Sequence, residues 1–528
     1  MIPTLKPNVI YTALALGLTA FPLSSIHAGT SSSAHPATHP NVIYIYADDM
    51  GIGMLSAYGQ RQFTTPHIDR LVQQGTAFSR AYGCMLSAPA RASLLTGYHD
   101  CHGTDKWTIS RGAAFAVSLA DTVHIAQAEE QMNAEDVRLP EGDLYLPQVF
   151  KEAGYTTAQI GKLEWGFTAT REQIRRHGWD YYYGYLDHVR CHGFYPPFLF
   201  DNGRIVPIYG NTLTNGGKSI ENETPDVLAE RRNRTGKEVY SQDLFLDKIL
   251  TFLREHRNEP FFLYHPTQLP HGPVAIPSIH PKVAENPTLT PIEREYASMV
   301  KLLDDNVGTI LAELERLGIA DRTIIVFSAD NGHEIYYSQK GRCEKPYRNL
   351  QTGQLFDDYA DKYRSSASGD IFNGNAGMAG LKRSNLEGGV HIPLVFYCPG
   401  IVPSGKTCDA LVANYDILPT MAEWLGPRLE MRKKDGRSFL SQLLMGKPGS
   451  AHPYIIFGSN TGPAIVTTDG WKLRHYLSRN AVELFFLPDD PQERNDLSTT
   501  HPDKVHELEK VLLKECGGDL QNGVNRAG

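Results

Sequence analysis

Asn41-Val-Ile-Tyr-Ile-Tyr-Ala47, followed at once by Asp48-Asp49, is an unbroken apolar and aromatic run that stops on two carboxylates. An alternating run would mark a strand with one wet face. A continuous one fits a strand buried on both faces, as in a parallel sheet covered by helices. Thr323-Ile-Ile-Val-Phe-Ser-Ala329 repeats the pattern and stops on Asp330-Asn331-Gly332. In open α/β sheets, sites form beyond the carboxyl ends of the strands. Alone, Asp-Asp or Asp-Asn-Gly is ordinarily a turn. At the ends of two buried strands, Asp48, Asp49, Asp330 and Asn331 form a set of hard oxygen donors suited to calcium or magnesium and not to zinc.

The intervening segments read as helices. Thr65-Pro66 fits an N-cap and first helical residue, Ile68, Leu71 and Val72 supply an apolar face, and Gly75 supplies a stop. Thr290-Pro-Ile-Glu293 is a capping box. It opens a long helix with an apolar stripe from Tyr296 to Leu314, which reads as core. Leu146–Ala153 reads as a short helix leading into a strand, Tyr155–Ile160, that ends at Gly161-Lys162. Residues 333–380 read as a long polar insertion of the kind that lines sites. Beyond a helix at Ile417–Leu425, short strands at 454–457, 464–467, 471–473 and 482–485 and a closing helix at 502–515 mark a smaller region. The expected fold is α/β: a large mixed, mostly parallel sheet flanked by helices, with a smaller C-terminal α+β subdomain holding a short antiparallel sheet.

The length of 528 residues fits one large α/β domain plus an appendage. A formal charge of −8 argues against a nucleic-acid binder and leaves recognition of any anion to local cations. Residues 1–28 read as a signal peptide, with an apolar stretch after Lys6 and a cleavage point after Ala28, and 29–39 as a small polar linker. The expected parts are then a catalytic domain at 40–430 and a C-terminal subdomain at 431–528. No later stretch is apolar enough for a membrane span, so a secreted or periplasmic bacterial protein is expected. Seven cysteines leave at least one unpaired, and the sequence assigns no disulfide.

Ser87-Ala-Pro89-Ala-Arg91-Ala-Ser-Leu-Leu95-Thr96-Gly97 fits the pattern Ser/Cys-x-Pro-x-Arg-x-x-x-Leu-Thr-Gly. It resembles the signature of the type I, formylglycine-dependent sulfatases of the alkaline-phosphatase superfamily. The likeness extends along most of the mature chain through Tyr415-Asp416-Ile-Leu-Pro419-Thr420 and the Glu483-Leu to Asn495-Asp-Leu497 segment, both structural markers. A Ser in this frame looks like the bacterial route, in which an anaerobic formylglycine-generating maturase oxidises it. The resemblance implies hydrolysis of a sulfate ester, with calcium held by Asp48, Asp49, Asp330 and Asn331 and completed by residue 87. The modification has a chemical logic. A sulfated serine would be stranded, whereas an aldehyde hydrate has a second hydroxyl that can expel the sulfate.

By the same resemblance Lys162 in Gly161-Lys and Lys382 in Lys382-Arg-Ser-Asn-Leu-Glu387-Gly-Gly389 grip sulfate oxygens. His271 in Pro270-His-Gly-Pro273 protonates the leaving alcohol, and Arg91 holds the hydrate and the acidic ligands. The chain departs from the pattern at Lys162-Leu163-Glu164, where the family has His in place of Glu; Glu164 is the candidate for the base of the second step. Lys340, Arg383 and His333 lie near matched segments without an assigned role. Arg190 and His192, in Arg190-Cys-His-Gly-Phe-Tyr-Pro196, resemble a stretch that reaches the substrate pocket in bacterial carbohydrate sulfatases. The implied partner is a sulfated carbohydrate, cut by an exo-acting enzyme in mucin or glycosaminoglycan breakdown. Two other readings stand beside it: a phosphonate or phosphodiester hydrolase of the superfamily, and a non-catalytic glycan-binding relative.

Overall fold

The computed structural model describes residues 39–103, 143–163, 171–186, 190–212, 233–337, 347–426 and 433–525. The expected signal peptide, nearly all of the linker, Glu164, Lys340 and the side chain of Arg190 lie outside them. The two acid-tipped runs are strands β1 (Asn41–Ala47) and β8 (Thr323–Ala329), and every residue of both is buried. Between them in the chain come β2 (Thr76–Tyr82), β3 (Thr156–Gly161), β4 (Tyr181–Gly184), β5 (Phe198–Asp201), β6 (Arg204–Pro207) and β7 (Phe261–Pro266). After them come β9 (Leu394–Tyr397) and β10 (Lys406–Ala413). These ten strands form one sheet in the order β10-β2-β9-β8-β1-β7-β3-β4-β5-β6.

The middle of that sheet positions the site. β8, β1, β7, β3 and β4 run parallel side by side. The register pairs Ala47 with Ala329, so the acids after β1 and β8 leave the sheet at the same level. Antiparallel pairs join β9 to both β2 and β8, and β5 to both β4 and β6.

The helices that matter here are α1 (Pro66–Gln74), α2 (Ser87–Thr96), α3 (Leu146–Glu152), α4 (Ser241–Glu255), α5 (Pro291–Leu317), α6 (Ile417–Leu425) and α7 (Pro502–Glu515). The capping box at Thr290 and Glu293 is formed in both directions: the Glu293 amide donates to Thr290 Oγ1 at 3.4 Å, and the Thr290 amide to Glu293 Oε2 at 2.7 Å. The apolar face of α5 joins the core with Tyr296, Met299, Val300, Leu303 and Leu314. The expected strand at Tyr155–Ile160 is shifted by one residue: Tyr155 lies before β3 and its hydroxyl donates to Pro40, while Gly161 completes the strand.

A separate antiparallel sheet follows, of β11 (Tyr454–Phe457), β12 (Ala464–Thr467), β13 (Trp471–Tyr476) and β14 (Ala481–Phe486). Ile455, Phe457, Ala464 and Val466 pack on Tyr82, Leu411 and Ala413 at the β2–β10 edge. The other face receives Leu508 and Leu512 of α7.

Candidate active site

Four neighbouring parallel strands each deliver a charged or titratable group from the carboxyl end: β1 gives Asp48 and Asp49, β8 gives Asp330 and Asn331, β3 gives Lys162, and the loop after β7 gives His271. The backbone at this level is tightly specified. Gly161 has φ 140°, and a Cβ there would stand 2.3 Å from the Pro266 carbonyl oxygen, so no larger residue fits before Lys162. Asp49 adopts φ 58°, a left-handed conformation that costs a non-glycine residue energy. It is held there by its amide, which donates to Asp330 Oδ1 at 3.0 Å; the Asn331 amide donates to the same oxygen at 2.8 Å.

Ser87 is the first residue of α2, a helix buried along its whole length. A first-turn position puts free amide N–H groups beside the side chain, a favourable setting for an anion. Ser87 Oγ donates to Asp48 Oδ1 at 2.8 Å. Lys162 Nζ donates to the other oxygen, Oδ2, at 2.5 Å, and both side chains are fully buried. Arg91, one helical turn on, bridges Asp48 at 3.8 Å and Asp330 at 3.5 Å, with its guanidinium 5.6 Å from the centre of the Tyr46 ring.

On the other flank Lys382 Nζ lies 2.6 Å from Asp49 Oδ2 and 3.2 Å from His271 Nε2. His271 Nδ1 is engaged by the Gly272 carbonyl at 2.5 Å, which leaves Nε2 as the atom facing the cluster, 3.2 Å from Asp49. The loop bearing Lys382 is braced from the small sheet: Lys472 bridges Glu387 and Glu493 at 2.8 Å each, and Arg474 donates to Asn385 at 2.6 Å.

The charges set one another's proton affinities. Burial alone would raise all three carboxyls. At Asp48 the opposing pull of Lys162, His271, Arg91 and Lys382 wins, and its carboxyl is held well below the usual range. At Asp49, Lys382 and His271 likewise overcome burial and bring the value to about 2. Asp330 goes the other way: burial and the Asp48 charge outweigh Arg91 and push it up to about 8. Lys162 stays charged because Asp48 overcomes its burial. Burial lowers His271 to about 4 and, with His271 and Lys162 beside it, His192 well below the ordinary imidazole value.

The donor set fits a hard divalent cation. It comprises the three carboxylates and Asn331 Oδ1, a buried oxygen with no hydrogen-bond partner. The Asn331 amide nitrogen is already committed, donating to Asp49 Oδ1 at 2.7 Å, which fixes Oδ1 as the outward atom.

Of the residues singled out in the sequence, Asp48, Asp49, Ser87, Arg91, Lys162, His271, Asp330, Asn331 and Lys382 converge. So does His192: its ring stacks on His271 with centroids 4.1 Å apart and planes 4° from parallel, and Lys162 Nζ stands 3.4 Å from its Nε2. Arg383 instead pairs with Glu334 at 2.7 Å, and His333 meets the Tyr337 hydroxyl at 2.8 Å. Two participants were not anticipated. The Tyr336 hydroxyl donates to Asp49 Oδ2, and its ring centre is 5.0 Å from that of His271. Gln268 donates to the Cys191 and Gly193 carbonyls at 2.5 and 3.2 Å, fixing the turn that carries His192.

Residues 40–427 match the protein family described as Sulfatase. The chain belongs to the sulfatase family. It is accordingly a sulfuric ester hydrolase. Among curated relatives, an N-acetylgalactosamine-6-O-sulfatase of Bacteroides thetaiotaomicron is 27% identical over 90% of this chain and 92% of its own. The N-acetylgalactosamine-6-sulfatase of Rattus norvegicus is 28% identical over 91% of this chain and 80% of its own. Among solved structures, a Bacteroides thetaiotaomicron protein from a core genetic locus for glycosaminoglycan metabolism superposes with a TM-score of 0.68 at 25% identity, covering 91% of this chain and 100% of that one. A structure in complex with D-glucosamine-2-N,6-O-disulfate shares the fold at TM-score 0.59 and 18% identity, covering 92% of this chain and 100% of that one. In this sulfatase no helix among the described residues is long and apolar enough to cross a membrane.

Proposed function

We propose that this sulfatase removes sulfate from a carbohydrate, acting from the glycan end in mucin or glycosaminoglycan breakdown, through formylglycine at position 87 beside a calcium ion. One observation carries the reading: Ser87 Oγ stands 2.8 Å from Asp48, inside a pocket walled by three acids and by Arg91, Lys162 and Lys382. Relatives named for N-acetylgalactosamine-6-sulfate make that sugar the first substrate to test. Residues 40–430 would carry the chemistry, and residues 431–528 would brace the Lys382 loop. Export to the periplasm or beyond, and oxidation of Ser87 by an anaerobic maturase, belong to the same proposal.

Asp48, Asp49, Asp330 and Asn331 would hold the calcium, which when bound polarises a sulfate oxygen and favours the ionised form of the attacking hydroxyl. Oxidised and hydrated, residue 87 offers two hydroxyls on one carbon, one to attack sulfur and one whose ionisation drives sulfate out. Asp48 accepts the hydrogen bond of the attacking hydroxyl and keeps it aimed. Lys162 and Lys382 take the sulfate oxygens from opposite flanks, each held in place by an acid, Asp48 and Asp49 respectively. Arg91 holds Asp48 and Asp330 at a fixed separation.

His271 is the acid for the leaving alcohol, through Nε2. Its imidazole is neutral in the free enzyme, and the incoming anion draws a proton onto it. Glu164 is the base of the second step. His192, stacked on His271 where the alcohol departs, and Arg190 are the candidates for contacting the sugar.

The test has two arms. The Ser87 peptide from protein made with its maturase is weighed, and the desalted enzyme is given sulfated monosaccharides and disaccharides while free sulfate is measured. Full activity with an unmodified serine would remove formylglycine from the scheme. Oxidised protein that released no sulfate from any sugar, or turned over aryl phosphodiesters faster than aryl sulfates, would remove the carbohydrate ester.

A further inference from the structure

Cys101 follows α2 and its Gly97 cap; Cys516 is the C-cap of α7. Far apart in sequence, they lie in one buried cluster with Ile456, Ile465, Leu473, Leu484 and Leu512, at 0% and 1% exposure. The chain around them is already fastened. The Gly103 amide donates to the Asn522 carbonyl at 3.1 Å, and Asn522 Nδ2 donates back to the Cys516 carbonyl at 2.8 Å. Asn525 Nδ2 donates to Asp100 at 2.7 Å, whose other oxygen receives the Gly458 amide at 2.7 Å.

Within this clasp both thiols are free and buried: Cys101 Sγ lies 3.9 Å from Asp100 Oδ1, and Cys516 is the neighbouring thiol that helps raise its proton affinity. The other buried thiol in this region, Cys84, is occupied elsewhere, by Ser93 Oγ at 3.4 Å and Asn414 Nδ2 at 3.7 Å.

We propose that Cys101 and Cys516 are a disulfide pair that closes when the chain folds in an oxidising compartment, locking the C-terminal helix to the segment behind the Ser87 helix. The step is thiol–disulfide exchange with a small-molecule or protein disulfide. One cysteine thiolate attacks a sulfur of that disulfide and displaces the first thiol. The second thiolate then attacks the mixed disulfide and displaces the other. One external disulfide is consumed, two thiols leave, and the two electrons pass to the oxidant.

Closure belongs to folding. Once buried, the Cys101 thiol is pushed far above its ordinary value by desolvation and by Cys516 and Asp100, so in the folded protein Cys101 offers almost no thiolate for exchange. A bond enclosing so much of the chain restricts the unfolded state strongly.

The experiment uses the full chain made twice, once exported to an oxidising compartment and once in a reducing cytoplasm. Free thiols are alkylated, and the unreduced digests are mapped by mass. The exported protein is expected to yield the Cys101 and Cys516 peptides joined, two mass units below their sum, with the cytoplasmic protein alkylated at both. The exported form should melt several degrees higher, and Cys516→Ala should abolish the difference. Alkylation of both residues in exported protein, a link from either one to another cysteine, or equal melting of the two forms would overturn the pairing.

Discussion

Replacing Lys162 with Met separates what this lysine does for catalysis from what it does for the fold. Its ammonium is 2.5 Å from Asp48 Oδ2, and neither side chain is exposed. Methionine keeps nearly the same length and removes only the charge. Deleting one member of a buried ion pair strands the other, at a cost of ~3–5 kcal/mol. Arg91 stays within 3.8 Å of Asp48 and Ser87 still donates to it, so the lower end, ~3 kcal/mol, is expected. Loss of one fixed charge on the developing anion lowers kcat by ~10²–10³.

The two effects come apart in the double variant Lys162→Met/Asp48→Asn. The uncompensated charge is then gone, so most of the lost stability should return while turnover stays at or below the single-variant level. Denaturant melts in the presence of a chelator, so that Asp48 has no ion to lean on, and turnover of a fluorogenic aryl sulfate by the calcium-loaded enzyme read the two quantities. The reasoning fails if Lys162→Met keeps activity within tenfold of the parent, or if the double variant is as unstable as the single one.

Chelation of the matured enzyme should abolish turnover and calcium should restore it; indifference to a chelator would dismiss the metal site. Tyr336→Phe removes a hydrogen bond to a charged Asp49, worth ~1.5–3 kcal/mol, and should cut kcat/KM by roughly 10–100-fold with the fold intact. Glu164→Gln should slow sulfate release more than the first step, seen as a burst in rapid-mixing traces; no change in either phase would make the residue structural. Burial lowers the imidazole of His265, whose ring nitrogen meets the Ile160 carbonyl at 2.7 Å, from 6.5 to about 4. Because the unfolded chain binds this proton first, stability contributed by neutral His265 is present above pH 6.5 and is lost as pH falls towards 4, by about 3 kcal/mol. Urea midpoints across that window should fall less steeply in His265→Gln.

The centre of the sheet was readable because burial on both faces leaves a composition mark: β1 and β8 have no polar alternation, and their ends carry acids. Where pairing depends on distant partners, the sequence is silent. Nothing local in Leu394–Tyr397 says that β9 runs antiparallel between β2 and β8, because that placement is decided by which edges remain open. The catalytic candidates were legible where they sit in short fixed-spacing motifs. Tyr336 was not, since it lies in a stretch read as a polar loop, and its position in the chain gives no hint that its hydroxyl reaches Asp49. Gln268 reaches the His192 turn through backbone carbonyls of another loop, with its own Oε1 accepting from Ser241 and Gln242, contacts with no sequence pattern of their own.

The same geometry explains why a protein of formal charge −8 can draw in an anion. Among the described residues, the pocket sets Asp48, Asp49 and Asp330 against Arg91, Lys162 and Lys382, a formal balance of zero. Burial and the adjacent Asp48 charge nevertheless push Asp330 up to about 8, while Lys382 and His271 hold Asp49 at about 2. A divalent cation among these oxygens would ionise Asp330 and leave the pocket net positive, in a setting where charges are weakly screened. Attraction for a singly charged sulfate ester then comes from the ion together with two lysines already locked in position, and not from the surface at large. Binding should therefore depend steeply on calcium and only weakly on added monovalent salt. A KM that rose several-fold between 50 mM and 500 mM sodium chloride at saturating calcium would place the steering on the exposed surface and contradict this account.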